Sequence, residues 1–187
     1  MKTTDYLDRL LAKYAGTFDI YQPYVIHGKE YPAYGYFFSH TEKYMLVREA
    51  NMWSTDCYEH ILFLEADEVT KEVLQEAYRL VTDYMEPQLV RKGEALPPPN
   101  HMYSYLTVAI LSEHAVSKPM QQAIKKFKFE KGYKFNMRGF SQAHLICAAM
   151  EEEKAYANFV ARASIKTFRS VFSEVKEGKP GYSQLQQ

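Results

Sequence analysis

Cysteine is scarce in this 187-residue chain: Cys57 and Cys147 stand far apart, and Cys147 lies in the apolar run Leu145-Ile146-Cys147-Ala148-Ala149. Two buried free thiols are therefore expected, not a disulfide framework or a metal site. Long apolar runs are missing too. None approaches the ~20 residues that a bilayer-spanning helix needs, and Met1-Lys2-Thr3-Thr4-Asp5 lacks the basic start and apolar core of a secretion signal. A cytoplasmic protein with no membrane partner is expected. Net charge is also absent, with 23 Lys+Arg against 23 Asp+Glu. No G-x-x-x-x-G-K-[ST], G-x-G-x-x-G or G-x-S-x-G occurs, which removes the usual anchors of nucleotide, dinucleotide and α/β-hydrolase readings.

What the chain does have is tyrosine. Sixteen tyrosines and 11 phenylalanines supply most of the 15% aromatic content, in a composition otherwise ordinary for a globular protein at 47% hydrophobic and 25% charged. Tyrosine buries a ring while keeping its hydroxyl near water, so many half-buried positions at sheet faces, pockets or subunit contacts are expected. The clearest pattern runs from Tyr58 to Val90. Tyr58-Glu59-His60-Ile61-Leu62-Phe63-Leu64 reads as a largely buried strand. Asp67 then offers a helix N-cap, and Val69, Val73, Ala77, Leu80 and Tyr84 recur at spacings of four and three. One long helix from Asp67 to about Val90 is predicted to lie on a sheet, with Pro87 ending or kinking it near Glu86 and Gly93 as its stop.

Before this unit, Leu7, Leu10, Leu11 and Tyr14 predict a first helix ended by Gly16. Strands are expected over Phe18 to Ile26, Tyr31 to Phe38 and Tyr44 to Trp53; Pro23 and Pro32 place at least one of them at an edge. Leu96-Pro97-Pro98-Pro99-Asn100 is a stiff crossover loop. His101 to Ser112 is apolar on both faces and reads as a central strand. A short helix capped by Ser117, a strand from Phe140 to Met150 and a last helix from Ala157 to Val175 complete an α+β fold around a mixed or antiparallel sheet. The length suits a single domain over 1–177, with 178–187 as a loose, flexible tail.

The charges are unevenly spread. Asp56 to Glu86 holds nine acids against two bases, a formal −7, whereas Lys118 to Arg138 holds seven bases against one acid, a formal +6. The basic block alternates with rings in Phe127-Lys128-Phe129 and Tyr133-Lys134-Phe135. Lys125, Lys126, Lys128, Lys134, Arg138 and Tyr133 are thus the candidate binding residues, lysines for phosphates and rings for bases. Plain alternation on a half-buried strand accounts for the same pattern and is favoured over nucleic acid. Six histidines never fall three or four apart on a helix, so no metal site and no cofactor is expected. Cys57 with His60 is the one nucleophile pair by spacing, but Cys57 precedes a strand, where nothing favours its thiolate.

Two resemblances add to this. Helix, strands, long helix and buried strand resemble the core of restriction-endonuclease-like nucleases, which implies an acid and then an acid-x-Lys pair around a metal. Glu30 and Glu49 are the acids available, with Arg48 nearby. Leu46-Val47-Arg48 stands where acid-x-Lys would be, so the likeness is to that fold without its active site. The second half, through His101-Met102-Tyr103-Ser104-Tyr105-Leu106-Thr107, Lys126-Phe127-Lys128-Phe129, Tyr133-Lys134-Phe135, Gly139-Phe140-Ser141 and Ile165-Lys166-Thr167-Phe168, resembles an uncharacterised family of domains from anaerobic Gram-positive bacteria. That resemblance implies a compartment and no activity. A non-catalytic binding or interaction module is expected, with a second copy of the chain as the favoured partner through the two charged blocks; the alternative is a nucleic-acid-binding or degenerate nuclease-like protein.

Overall fold

The computed structural model describes residues 1–43 and 53–186. α1 (Thr3–Tyr14) is followed by β1 (Asp19–Tyr21), β2 (Tyr24–Ile26), β3 (Lys29–Tyr31), β4 (Tyr34–Lys43) and β5 (Trp53–Ala66). α2 (Lys71–Arg79) runs directly into a π-helical segment, Leu80–Val90, before β6 (His101–Ser112) and α3 (Lys118–Lys126). β7 (Glu130–Gly132), β8 (Phe140–Ala149), β9 (Lys154–Ala157), α4 (Ile165–Lys176) and α5 (Tyr182–Leu185) complete the chain. Seven strands form one sheet in the order β1-β4-β5-β6-β8-β7, with β9 also on β8, while β2 and β3 pair separately. β5, β6 and β8 are parallel and their outer neighbours antiparallel, so the sheet is mixed and the class α+β.

Strand alternation divides the core into two layers. Leu62, Leu64, Leu106, Val108, Ile110 and Leu145 face Ala77, Leu80, Val81 and Met85 of the long helical unit. Ile61, Phe63, Ala109, Leu111 and Ile146 face Tyr6, Leu10 and Leu11 of α1 and Phe168 and Val171 of α4. Covered on both sides, β6 has the continuous apolar run and the bounds that its sequence predicts. Ala77 and Leu80 are buried and Val73 packs against the same layer, as the helical stripe requires.

Several boundaries differ, each for a local reason. Thr70, not Asp67, caps α2: its side chain accepts from the Val73 N–H. The Asp67 carbonyl is instead tied to the segment just after β6 by the His114 N–H. The segment Phe18 to Ile26 divides at Pro23 into strands of different sheets, because proline has no N–H for a ladder. The last helix starts at Ile165 and not Ala157. Asn158 holds the preceding chain on the sheet, accepting from the Leu145 N–H at 3.1 Å and donating to the carbonyls of Phe127 and Ala143 at 3.1 and 3.0 Å. Within 178–187, α5 returns to α1, where Asp8 accepts from the Ser183 N–H at 2.8 Å. The strand expected over Tyr44 to Trp53 lies outside the described residues except for Trp53, which begins β5.

Gly139 makes the entry into β8 possible. Its φ is +71°, and a Cβ there would stand 2.0 Å from the Met102 carbonyl oxygen. Gly139→Ala is expected to lower unfolding free energy by about 2 kcal/mol, combining left-handed strain with displaced backbone. Urea titrations of the two proteins measure it, and a difference under about 0.5 kcal/mol would place the turn's tolerance elsewhere.

Candidate binding cleft

The covering of the second sheet face is incomplete. α1 and α4 lie over Phe63, Ala109, Leu111 and Ala148, but toward the other end of the same strands that face carries Glu59, Tyr105, Thr107, Gln142 and His144. Register places Glu59, Tyr105 and Gln142 side by side on β5, β6 and β8, and Ile61, Thr107 and His144 one step on. Tyr14 and Phe18 flank this floor on one side, Val160, Ala163 and Ser164 on the other, enclosing a cleft of about 300 Å³. That volume is at the lower end of small-molecule sites.

Rings organise the floor. Tyr105 stacks on Tyr103 with centroids 4.5 Å apart and on His144 at 4.6 Å, with interplanar angles of 25° and 24°. Burial pushes the His144 imidazole down to about 4, so it is neutral at neutral pH. Burial also pushes the Glu59 carboxyl above its ordinary value, and its negative charge adds to the burial that raises Tyr14. No described residue gives Glu59 a hydrogen bond or a positive charge. The side chains of Tyr105, Thr107, Gln142, His144 and Ser164 likewise have no hydrogen-bond partner among the described residues. On the neighbouring strands other polar groups are satisfied, Ser104 by His101 at 2.8 Å and Ser141 by Tyr133 at 2.8 Å. Half-buried polar groups left unpaired around one cleft are what a ligand site looks like before its ligand arrives.

A wider depression of about 730 Å³ lies at the carboxyl ends of β5, β6 and β8, lined by Glu65, Asp67, Glu113, His114 and Glu151. Open sheets with parallel strands commonly bind ligands there. Its charges, however, are well solvated, with the Asp67 and Glu151 side chains 78% and 59% exposed, and His114 lies 3.4 and 3.5 Å from those two carboxylates. The smaller cleft makes the stronger demand for a partner.

The residues singled out by sequence are dispersed. Glu30 is exposed on β3 in the small sheet, opposite Val25, and Arg48 and Glu49 lie outside the described residues. Tyr133 is buried, its hydroxyl 2.9 Å from Glu86; Arg138 donates to the Pro97 carbonyl at 3.4 Å, and its own carbonyl is 2.8 Å from His101 Nδ1. Lys134 is exposed in a turn of three left-handed residues, Lys134, Phe135 and Asn136. Lys125, Lys126 and Lys128 do border a depression, which adjoins the cleft through Gln142 and Val160. The charged blocks meet within the chain at one point, where Lys131 lies 3.0 Å from Glu86. Cys57 and His60 point to opposite faces of β5 and cannot act together. Among the described residues no cluster of three or more His, Cys, Asp or Glu is placed to hold a metal ion, and no helix is long and apolar enough to cross a membrane.

An α+β domain with a half-covered mixed sheet is thus the class that fold and cleft define. The chain belongs to the family described as "Domain of unknown function (DUF8052)", whose model matches residues 2–170. No curated protein and no solved structure matches it. The match takes in every residue of the cleft.

Proposed function

We propose that this domain is a small-molecule-binding module whose ligand is a planar ring carrying N–H donors. The unpartnered polar groups of the cleft support the reading: a ring entering there extends the stack of Tyr103, Tyr105 and His144, and its N–H groups meet the Glu59 carboxylate, which nothing in the described chain neutralises. Benzamidine and 2-aminopyridine are the probes. Either is expected to shift the amide resonances of Tyr105, Gln142 and His144, and His144→Ala to weaken binding about tenfold, the scale of one lost stacking contact. Shifts scattered over the surface, or none at millimolar probe, would sink the reading.

Self-association has one observation in its favour, though not at the charged blocks. Phe135, Met137 and Met102 are 100%, 77% and 50% exposed, and Met102 and Met137 line one depression. Sedimentation velocity is expected to show a dimer that Phe135→Ser reduces to monomer; a monomer in the parent chain would end this reading.

A further inference from the structure

The cleft does not end at Gln142. Gln142 and Val160 also line a second depression of about 300 Å³, bordered by Lys125, Lys126 and Lys128, so the two adjoin at Gln142 and Val160 in a run from the sheet face to the β7 edge. Its ends differ in charge. Glu59 stands unneutralised at one, and at the other three exposed lysines share the lining with one carboxylate, Glu130, which register places opposite Gln142. These three have no carboxylate partner among the described residues, a trait they share with lysines such as Lys71, Lys118 and Lys166; what sets them apart is that they border one depression together. Lys125 and Lys126 also complement the negative end of α3, but Lys128 lies beyond that helix and has no such role.

We propose that the ligand is a nucleoside monophosphate: its base sits at the His144 end of the ring stack with N–H donors on Glu59, and its phosphate reaches Lys126 and Lys128 across Gln142. The inference rests on the binding reading above and adds the second depression. Glu59 accepts from an amino or ring N–H as carboxylates do at base edges. Gln142, both donor and acceptor, lies midway, where a ligand's hydroxyls fall. A bare ammonium would satisfy Glu59 and leave the lysines without an anion. A continuous nucleic-acid strand would need the floor to run on at both ends, and Tyr14 with Phe18 flank the cleft on the side away from the lysines.

Calorimetry with the full chain decides it, using the four common ribonucleoside monophosphates and their parent nucleosides. At least one monophosphate is expected to bind about tenfold more tightly than its nucleoside, a phosphate contribution of roughly 1.4 kcal/mol. Lys126→Glu with Lys128→Glu should abolish that gain and leave nucleoside affinity unchanged, while Glu59→Gln should weaken both ligands alike. Equal affinity for nucleoside and monophosphate would overturn the phosphate assignment with the cleft reading intact. Binding of benzamidine but of no nucleoside would overturn the base assignment, again sparing the cleft. A short single-stranded RNA that binds far more tightly than any mononucleotide, with affinity falling steeply with salt, would replace the proposal with a nucleic-acid surface.

Discussion

Urea titrations repeated from pH 7 down to pH 4.5 are expected to show stability falling steadily, with His60 as one of the main contributors. His60 lies on β5 between the sheet and its tyrosines, 3% exposed, with Nδ1 2.7 Å from the Tyr34 hydroxyl and Nε2 without a partner. Burial, and then the neighbouring His101, push its pKa from 6.5 down to about 4. The folded chain therefore keeps this ring neutral across a range in which the unfolded chain protonates it. Below 6.5 the unfolded state binds more protons, so stability drops as pH falls until His60 itself titrates near 4. A displacement of that size corresponds to a loss on the order of 3 kcal/mol by its lower end. His144, also lowered to about 4 by burial, acts in the same direction.

His101, lowered by burial, adds to the loss in the same window, whereas the carboxylates do not mimic it. Glu86, Glu152 and Glu174 are held below 4.5, because hydrogen bonds and cations outweigh the burial that would raise them, so their contributions are lost only as pH falls below about 4.5. Glu59 is raised by burial, which has the opposite sign and lessens the loss. His60→Gln keeps a neutral hydrogen-bonding side chain at every pH and is expected to lessen the slope between 6.5 and 4.5, leaving the share of His144 and His101. An unaltered slope in that variant, or a parent chain equally stable at both ends, would refute the assignment.

How much of this could be read beforehand depends on whether a feature is local. The strand His101 to Ser112 announces itself because both faces are covered along most of its length. Even so, Tyr103, Tyr105 and Thr107 alternate with Ser104, Leu106 and Val108, and that period-two polarity on one face, repeated by Gln142 and His144 on β8, marks where the covering helices stop. The cleft itself was hidden. Glu59, Tyr105, Gln142 and Ser164 come from four segments, and only parallel register with two crossovers brings them together. The helix expected from Ala157 failed for a related reason: Ala157 and Ala161 fit the spacing of Ile165 and Phe168, yet Ala157 is buried as the end of β9, and Asn158 fixes the turn through bonds to residues far off in sequence. Lys126 and Lys128 were legible as charges, but their apposition to Gln142 was not.

Glu86 illustrates a helix whose period changes. The α-helical stripe holds through Leu80, after which the buried positions are Val81, Met85, Glu86 and Val90, the four-to-five spacing of a π-helix. The sequence predicts a helix to about Val90 with an end or kink near Glu86 at Pro87; the wider turns carry it through Pro87 to Val90 and rotate a carboxylate into the core. There Oε1 accepts from Arg91 Nε at 2.7 Å, the Tyr133 hydroxyl at 2.9 Å and Lys131 Nζ at 3.0 Å, and Tyr133 continues to Ser141 at 2.8 Å. The helical unit, β7 and β8 are thus joined through one side chain. Its removal leaves Tyr133 and Arg91 facing a buried void, so Glu86→Ala is expected to cost about 3–5 kcal/mol, the range for a buried pair that loses one member. Lys131→Ala, at a partner 43% exposed, should cost under about 1 kcal/mol. Glu86→Gln should fall between, since it keeps a Tyr133 contact without the charge. Equilibrium unfolding at pH 7 ranks the three. A Glu86→Ala cost no greater than that of Lys131→Ala would mean that the π-helical segment is held by its apolar face alone and that the buried carboxylate is incidental to it.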